Sequence, residues 1–188
     1  VDFISLHTYP MHDTHYHPAF WVVPETQEQL PDPEKIDSAM DRSLEYAISQ
    51  YESVAAYVKS LGAEKPIHIG ETGWASFSGG IYGDEDSRAT DEYKSALFYH
   101  RMREWTNREG ITCFYFEAFD EQWKDSANPE GSENHFGMIN LQGQAKYALW
   151  DLVDEGLFDV FNRDGKPITK NFGGNREAMM RTVKAPPS

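Results

Sequence analysis

Residues 66–76 read Pro-Ile-His-Ile-Gly-Glu-Thr-Gly-Trp-Ala-Ser, a short apolar run that ends in a carboxylate. Side chains alternate between the two faces of a strand, so Ile67, Ile69 and Glu71 are predicted to share one face. A carboxylate is costly inside an apolar core, but it is well placed at the carboxyl end of a parallel strand, where the catalytic groups of α/β barrels collect. We therefore predict that Glu71 is a catalytic residue, while a capping role or a pairing with an arginine stays open from the spacing alone.

Strand and helix patterns alternate along the rest of the chain. Val1–Tyr9 and Ile111–Phe119 are predicted strands. Apolar residues spaced three and four apart predict a long helix that begins at an Asp32 N-cap and ends at Gly62. Met11–Pro31 contains several prolines and is predicted to be a long loop. The other predictions are helices over 87–109, 144–157 and 175–183 and a turn at 163–166. Strands that each precede a loop and a helix indicate an α/β fold with parallel strands.

All three predicted strands end in polar or aromatic side chains. These are His7 and Tyr9 on the first strand, Glu71 and Trp74 on the second, and Glu117, Asp120, Glu121 and Trp123 on the third. Sugar rings stack on aromatic side chains and glycosidic cleavage uses carboxyl pairs, so this set suits a neutral carbohydrate. The plainer alternative, in which the aromatic residues are core and the acids are surface, stays open at this point.

Composition narrows the class of partner. The chain has 188 residues, 39% of them hydrophobic and 14% aromatic, which is enough for one domain with a sizeable core. The net charge of −14 argues against nucleic acid or an anionic membrane as partner. Cys113 lies inside an apolar run and is predicted to be an inert buried thiol. No stretch approaches the roughly 20 apolar residues of a membrane span, and no cofactor is predicted.

Four stretches resemble one known family. Ile69–Ser76 is similar to the Glu-Thr-Gly-Trp-Pro-Ser signature of glycoside hydrolase family 17, the β-1,3-glucan hydrolases and transferases, with Ala75 in place of proline. Phe119–Lys124 resembles that family's Phe-Asp-Glu-x-x-Lys segment on the eighth barrel strand. Ser132–Gly137 resembles its Glu-x-His-x-Gly stretch, and Ser5–Pro10 resembles its sixth strand. These motifs occur in the family's order and cover about residues 1–150.

The resemblance implies a retaining hydrolase in which Glu71 is the nucleophile. It implies that Tyr9, Glu121, Lys124 and Glu133 line the subsite and that Trp74 and Trp123 are sugar platforms. The complete set of predicted substrate-binding residues is Tyr9, His7, Trp74, Glu117, Asp120, Glu121, Trp123, Lys124, Glu133 and His135. A β-glucan, such as laminarin, is the implied substrate, and a polysaccharide substrate favours a secreted or periplasmic protein.

The resemblance also implies a partial fold. Family members are (β/α)8 barrels whose acid/base glutamate follows an asparagine on the fourth strand, and this chain has no Asn-Glu dipeptide. We expect residues 1–157 to be the C-terminal half-barrel, about strands six to eight, and residues 158–188 to be an extension that packs on it. We expect the isolated chain to have weak activity or none. Its open strand edges predict a homodimer.

Three alternatives remain at this stage. A transglycosylase would use the same residues, and a half-barrel without turnover would bind sugar only. The third alternative is a metal site formed by His7, His12, His15 and His17 with Asp13 close by, because histidines at short spacing can chelate zinc or nickel.

Overall fold

The computed structural model describes all 188 residues and has the predicted α/β class. In chain order the elements are β1 (Ile4–Thr8), α1 (Pro10–Tyr16), α2 (Asp32–Ser60), β2 (Ile67–Thr72), α3 (Glu92–Glu109), β3 (Cys113–Tyr115), β4 (Gln144–Ala145), α4 (Trp150–Asp154), β5 (Asn162–Arg163), β6 (Lys166–Pro167), β7 (Thr169–Lys170) and α5 (Arg176–Met180). The central sheet has the order β1-β2-β3 and all of its strands are parallel.

The long helix α2 follows the predicted apolar stripe. Ile36, Met40 and Ala47 are buried in the main core together with Ile69 of β2 and Phe98 of α3. The two helices therefore cover one face of the sheet, as crossover connections between parallel strands require. The prediction of Asp32 as the N-cap is wrong by one residue, because Pro31 occupies that position. Asp32 lies in the first turn, where its charge still favours the helix dipole.

The strand β2 is irregular at Gly70, which places Glu71 on a different face from the one predicted. Leu6 pairs with Ile69 and His7 with Glu71, so Gly70 is an extra residue in the register. Adjacent residues of β1 point to opposite faces, and so Ile69 and Glu71 do as well. A side chain at position 70 would collide with the Ser5 hydroxyl. The irregularity therefore sends Ile69 to the core under the helices and Glu71 to the other face.

The segment predicted as a long loop after β1 is largely helical. The segment begins with the helix α1, and short 3₁₀ turns follow at Pro18–Phe20 and Glu25–Gln27. Proline is tolerated at the first helical position because its missing N–H has no helical partner there, so Pro10 begins a helix rather than ending one. Met11 is buried, and the indole of Trp21 donates to the Ser87 carbonyl at 2.6 Å. The segment is thus part of the main core.

The C-terminal third forms a second, smaller core. The helix predicted over 144–157 is instead β4, a 3₁₀ turn at Tyr147–Leu149 and the short α4. Ala145 and Leu149 pack with Ile168 from the last part of the chain. The predicted turn is confirmed as a β5–β6 hairpin whose central residues Asp164 and Gly165 have positive φ. None of the five helices combines the length and apolarity needed to cross a membrane.

Candidate active site

Glu71 lies at the carboxyl end of β2 and both of its oxygens have partners. The Tyr9 hydroxyl donates to Oε1 at 2.7 Å, and Nδ1 of His7 lies 3.0 Å from Oε2. Both partners come from β1 or the residue just after it, because the shifted register sets His7 beside Glu71. About a third of the glutamate side chain, 32%, stays exposed. The carboxylate is thus held in one orientation and remains accessible to a ligand.

Tyr9 is surrounded by carboxylates. Burial is the main reason that the pKa of its phenol is raised well above the ordinary value, and the hydrogen bond to Glu71 adds to the shift. The nearby charges of Glu71, Glu133 and Glu117 act in the same direction. The phenol therefore stays protonated and remains a donor. Carboxylates from the ends of β2 and β3 and from the loop near residue 133 converge on this one ring.

Lys124 ties together the two glutamates that follow β3. Its ammonium lies 2.6 Å from Oε2 of Glu117 and 3.5 Å from Oε2 of Glu121. The same nitrogen sits 3.6 Å from the centre of the Phe116 ring. Burial raises the pKa of Glu117, and Lys124 opposes that shift. Oε1 of Glu117 is buried without a hydrogen-bond partner.

His12 belongs to this group although the predicted binding set omitted it. Its ring stacks on Tyr9 with centroids 5.3 Å apart, and its Nε2 lies 3.8 Å from a Glu133 oxygen. Burial lowers its pKa despite the Glu133 charge. The position of His12 in the sequence is the signal that could have found it. The helix α1 begins directly after Tyr9, and residues three apart on a helix lie on the same side, so His12 lies beside Tyr9.

Two of the predicted binding residues have structural roles. Trp74 is 0% exposed, packs against Trp21 and Phe98, and donates from its indole to the Ala89 carbonyl, so its prediction as a sugar platform is wrong. Asp120 is buried and accepts from Lys146 at 2.7 Å and from the Gly137 amide at 3.0 Å. Asp120 thus anchors the loop after β3 instead of facing the Glu71 carboxylate.

The remaining two predicted residues, His135 and Trp123, form no hydrogen bond or ion pair with Glu71. Nε2 of His135 lies 3.1 Å from the Pro129 carbonyl, burial lowers its pKa, and its ring lines a polar cleft of about 800 Å³ to which Glu71 does not contribute. The Trp123 side chain is 72% exposed and free to contact a ligand.

The histidines of the proposed metal site do not converge. His7 faces Glu71, His12 faces Glu133 and His15 faces Asp86, each as a separate pair. No group of three or more histidine, cysteine, aspartate or glutamate side chains has the geometry to hold a metal ion. The structure therefore gives the metal alternative no support.

Burial raises the pKa of the half-buried Cys113 thiol to about 11, which keeps it protonated and inert.

The Glu71 site is acidic, contains Tyr9 and lies at the carboxyl ends of parallel strands, and comparison with known proteins gives the family. The family model described as "Glycosyl hydrolases family 17" matches residues 37–150. The chain belongs to this family.

Three relatives illustrate the similarity. An endo-laminarinase from Formosa Hel1_33_131 is 60% identical with a TM-score of 0.97, and the alignment covers 100% of this chain and 48% of that chain. An active-site mutant of Rhizomucor miehei β-1,3-glucanosyltransferase, solved with laminaritriose, is 25% identical with a TM-score of 0.52, over 79% of this chain and 42% of that chain. A glucan 1,3-β-glucosidase of Schizosaccharomyces pombe is 38% identical over 81 residues, 43% of this chain and 23% of its own length. The chain thus spans about half the length of its solved relatives and less of the curated one.

Proposed function

We propose that this chain carries the nucleophile side of a retaining β-1,3-glucan hydrolase site, with Glu71 as the nucleophile. The observation that supports this most is the Glu71 carboxylate itself, which is oriented by Tyr9 and His7 and left one-third exposed at a strand end. The family membership and the 60% identity to an endo-laminarinase support the substrate class. A neutral glucan also suits a protein with a net charge of −14.

The proposed chemistry has two displacements at one anomeric carbon. A Glu71 oxygen attacks that carbon while the bond to the leaving oxygen breaks, and a carboxylic acid protonates the leaving oxygen. Water, activated by the same second carboxyl, then cleaves the glycosyl ester and restores Glu71 with retention of configuration. Tyr9 keeps its proton throughout, so it can hold Oε1 while the other oxygen attacks.

The second carboxyl must stand about 5 Å from the nucleophile. Each acidic side chain around Tyr9 has a neighbouring nitrogen group: Lys124 lies beside Glu117 and Glu121, and His12 lies 3.8 Å from Glu133. We propose that the acid/base is supplied from outside these 188 residues and that the three parallel strands form one side of a (β/α)8 barrel. In this proposal residues 1–157 form the partial barrel and residues 158–188 pack on it. The unpaired flanks of β1 and β3, beside the exposed Phe3 and Phe114, would then favour homodimers of the isolated chain.

Transglycosylation is the second candidate because one relative is a β-1,3-glucanosyltransferase. It would use the same Glu71 ester and differ only in whether water or a sugar hydroxyl cleaves it. Product analysis by chromatography with laminari-oligosaccharide acceptors separates the two outcomes, since only a transferase makes products longer than the donor.

The proposal is tested with a dinitrophenyl β-laminaribioside. Dinitrophenolate leaves without a proton, so the first displacement does not depend on the acid/base residue. The chain is expected to release a stoichiometric burst of dinitrophenolate, and Glu71→Gln is expected to release none. Glu64→Gln is the matched control, because the same change is made in the exposed residue before the other end of β2. An unchanged burst in Glu71→Gln would refute the assignment, and sugar binding without any burst would indicate a binding module.

A further inference from the structure

His7 contacts the oxygen of Glu71 that Tyr9 does not hold. The Tyr9 hydroxyl donates to Oε1 at 2.7 Å, and Nδ1 of His7 lies 3.0 Å from Oε2. In the proposed chemistry Tyr9 holds Oε1, so Oε2 is the oxygen that attacks the anomeric carbon. His7 is therefore the residue beside the reacting atom of the nucleophile.

The contact determines which nitrogen of His7 carries a proton. An ionised carboxylate only accepts hydrogen bonds, so Nδ1 is the donor at this distance. The neutral ring thus has its proton on Nδ1, and a second proton binds at Nε2. The hydrogen bond to Glu71 is present in both protonation states, and only the charge of the ring changes between them.

The surroundings of His7 allow its charge to change with the pH of the solution. Its side chain is 57% exposed, and histidine side chains gain and lose their charge between about pH 5 and pH 8. The titratable groups that face it are Glu71 and His68 on β2, Tyr9 after β1, and Glu117 and Glu133 beyond Tyr9. Of these, Glu71 is the one that pairs with the His7 ring.

The helix α2 adds no charge to these surroundings. It packs on the opposite face of β1, where the Thr8 hydroxyl donates to the side-chain oxygen of Gln50. Adjacent residues of a strand point to opposite faces, so His7 points away from α2. The charge of His7 therefore acts mainly on the Glu71 carboxylate.

That charge affects the two displacements in opposite directions. In the first, the bond from Oε2 to the anomeric carbon forms, the bond to the leaving oxygen breaks, and the leaving oxygen takes the electron pair. An imidazolium beside Oε2 stabilises the carboxylate more than the neutral ester, so it slows this step. In the second displacement the electron pair returns to Oε2, so the same imidazolium speeds the step.

We propose that His7 is a positioning residue whose protonation sets the balance between formation and breakdown of the glycosyl ester on Glu71. The inference rests on the proposed function, because it requires Glu71 to be the nucleophile. A neutral His7 orients the carboxylate and favours its attack on the sugar. A protonated His7 keeps the same hydrogen bond and shortens the lifetime of the ester.

The test measures the two displacements separately in the 188-residue chain, at about pH 8 and about pH 5.5. Formation is followed as the burst rate of dinitrophenolate from dinitrophenyl β-laminaribioside. Breakdown is followed by mass spectrometry, as the loss of a 2-deoxy-2-fluoro-β-laminaribiosyl label from the chain to azide. Dinitrophenolate leaves without a proton and azide attacks as an anion, so neither rate depends on the acid/base residue.

From the higher to the lower pH, formation is expected to slow about two- to fivefold and breakdown to quicken by a similar factor, the range of exposed charge pairs. His7→Asn is the decisive variant, because its Nδ2 takes the place of Nδ1 and donates but does not gain a proton. It is expected to keep its circular dichroism, since His7 is exposed, and to show neither change. His17→Asn makes the same substitution in an exposed histidine at the end of α1 and is expected to behave like the unsubstituted chain.

The proposal is overturned if the two rates of the unsubstituted chain do not move in opposite directions, or if His7→Asn keeps their change. A slower burst without faster breakdown is one such result, because protonation of Glu71 itself slows its attack but cannot speed the breakdown of an ester. The absence of a burst at both pH values would instead refute catalysis by Glu71, and the role of His7 would be refuted with it. A burst with the same pH dependence in His7→Asn would refute only the role of His7.

Discussion

The loops after β2 and β3 each carry a tryptophan shortly after a glutamate, three residues beyond Glu71 and two residues beyond Glu121, yet the two side chains have opposite environments. Trp74 follows Glu71 and is wholly enclosed by the core, with its indole bound to the Ala89 carbonyl. Trp123 follows Glu121 and Asp120 and extends into solvent. Proximity to an acid in sequence therefore does not distinguish a sugar platform from a core residue.

The difference arises from the direction in which each loop leaves its strand. After Glu71 the chain turns back over α3, and the Ser95 hydroxyl donates to the Trp74 carbonyl at 2.9 Å. After β3 the chain runs toward solvent, and the Asp120–Lys146 pair holds the base of this loop. One loop completes the core and the other leaves its aromatic residue available for binding.

The largest expected effect is on stability at Trp74. Trp74→Ala removes a fully buried ring and should lower the free energy of unfolding by about 3–5 kcal/mol. Trp123→Ala should change it by less than about 0.5 kcal/mol, because an exposed side chain loses little packing. Urea denaturation followed by circular dichroism measures both. An equal loss of unfolding free energy in the two variants would contradict the difference in burial between Trp74 and Trp123.

The next effect concerns the base of the loop after β3. Lys146→Met leaves Asp120 buried without its cation, and breaking a buried pair in this way costs about 3–5 kcal/mol at most. Lys124→Met, in the same loop region, should cost less, because Glu117 and Glu121 are more exposed than Asp120. The same denaturation assay compares them. If Lys146→Met were the milder change, the loop would be anchored elsewhere.

A smaller effect on the stability of the fold is expected from a change in pH. Burial lowers the pKa of His12 and of His135 in the folded state, so the unfolded chain binds their protons more tightly. Their contribution to stability is therefore present above the ordinary histidine pKa of about 6.5 and is lost as pH falls through the lowered values. The melting temperature should fall between pH 7 and pH 5, and it should fall less in a His12→Gln, His135→Gln double variant. A double variant with an unaltered pH slope would contradict the burial of these rings.

The sequence predicted most where a pattern was long and regular. The stripe of α2 has residues such as Ile36, Met40 and Ala47 at helical spacing. The helix ends at Ser60, two residues before the predicted Gly62, whose φ is +68°. The helix α1 is not predicted from the sequence, because a proline after a strand indicates a stop, although proline also suits a first helical turn. The reversal of the Glu71 face cannot be predicted from the sequence, because the effect of Gly70 on strand register depends on the close approach of Ser5 in the neighbouring strand.

For the site, it was easier to predict from the sequence which residues meet than to predict which side chains are buried. Glu71, Tyr9 and His7 do meet, since strand ends of one parallel sheet share an edge. Trp74 and Asp120 could not be recognised as buried, because their burial depends on α3 and on Lys146, far away in the chain. The role of His12 likewise depends on α1, a helix that is hard to predict in a segment with several prolines.

Peptide mapping after incubation with dinitrophenyl 2-deoxy-2-fluoro-β-laminaribioside tests the central claim most directly. The fluorine slows breakdown of the glycosyl ester, so the nucleophile stays labelled and mass spectrometry can locate it. We expect the fluoro-laminaribiosyl group on the peptide that contains Glu71, and no labelled peptide from Glu71→Gln. A label on Glu117, Glu121 or Glu133, with Glu71 unmodified, would contradict the account.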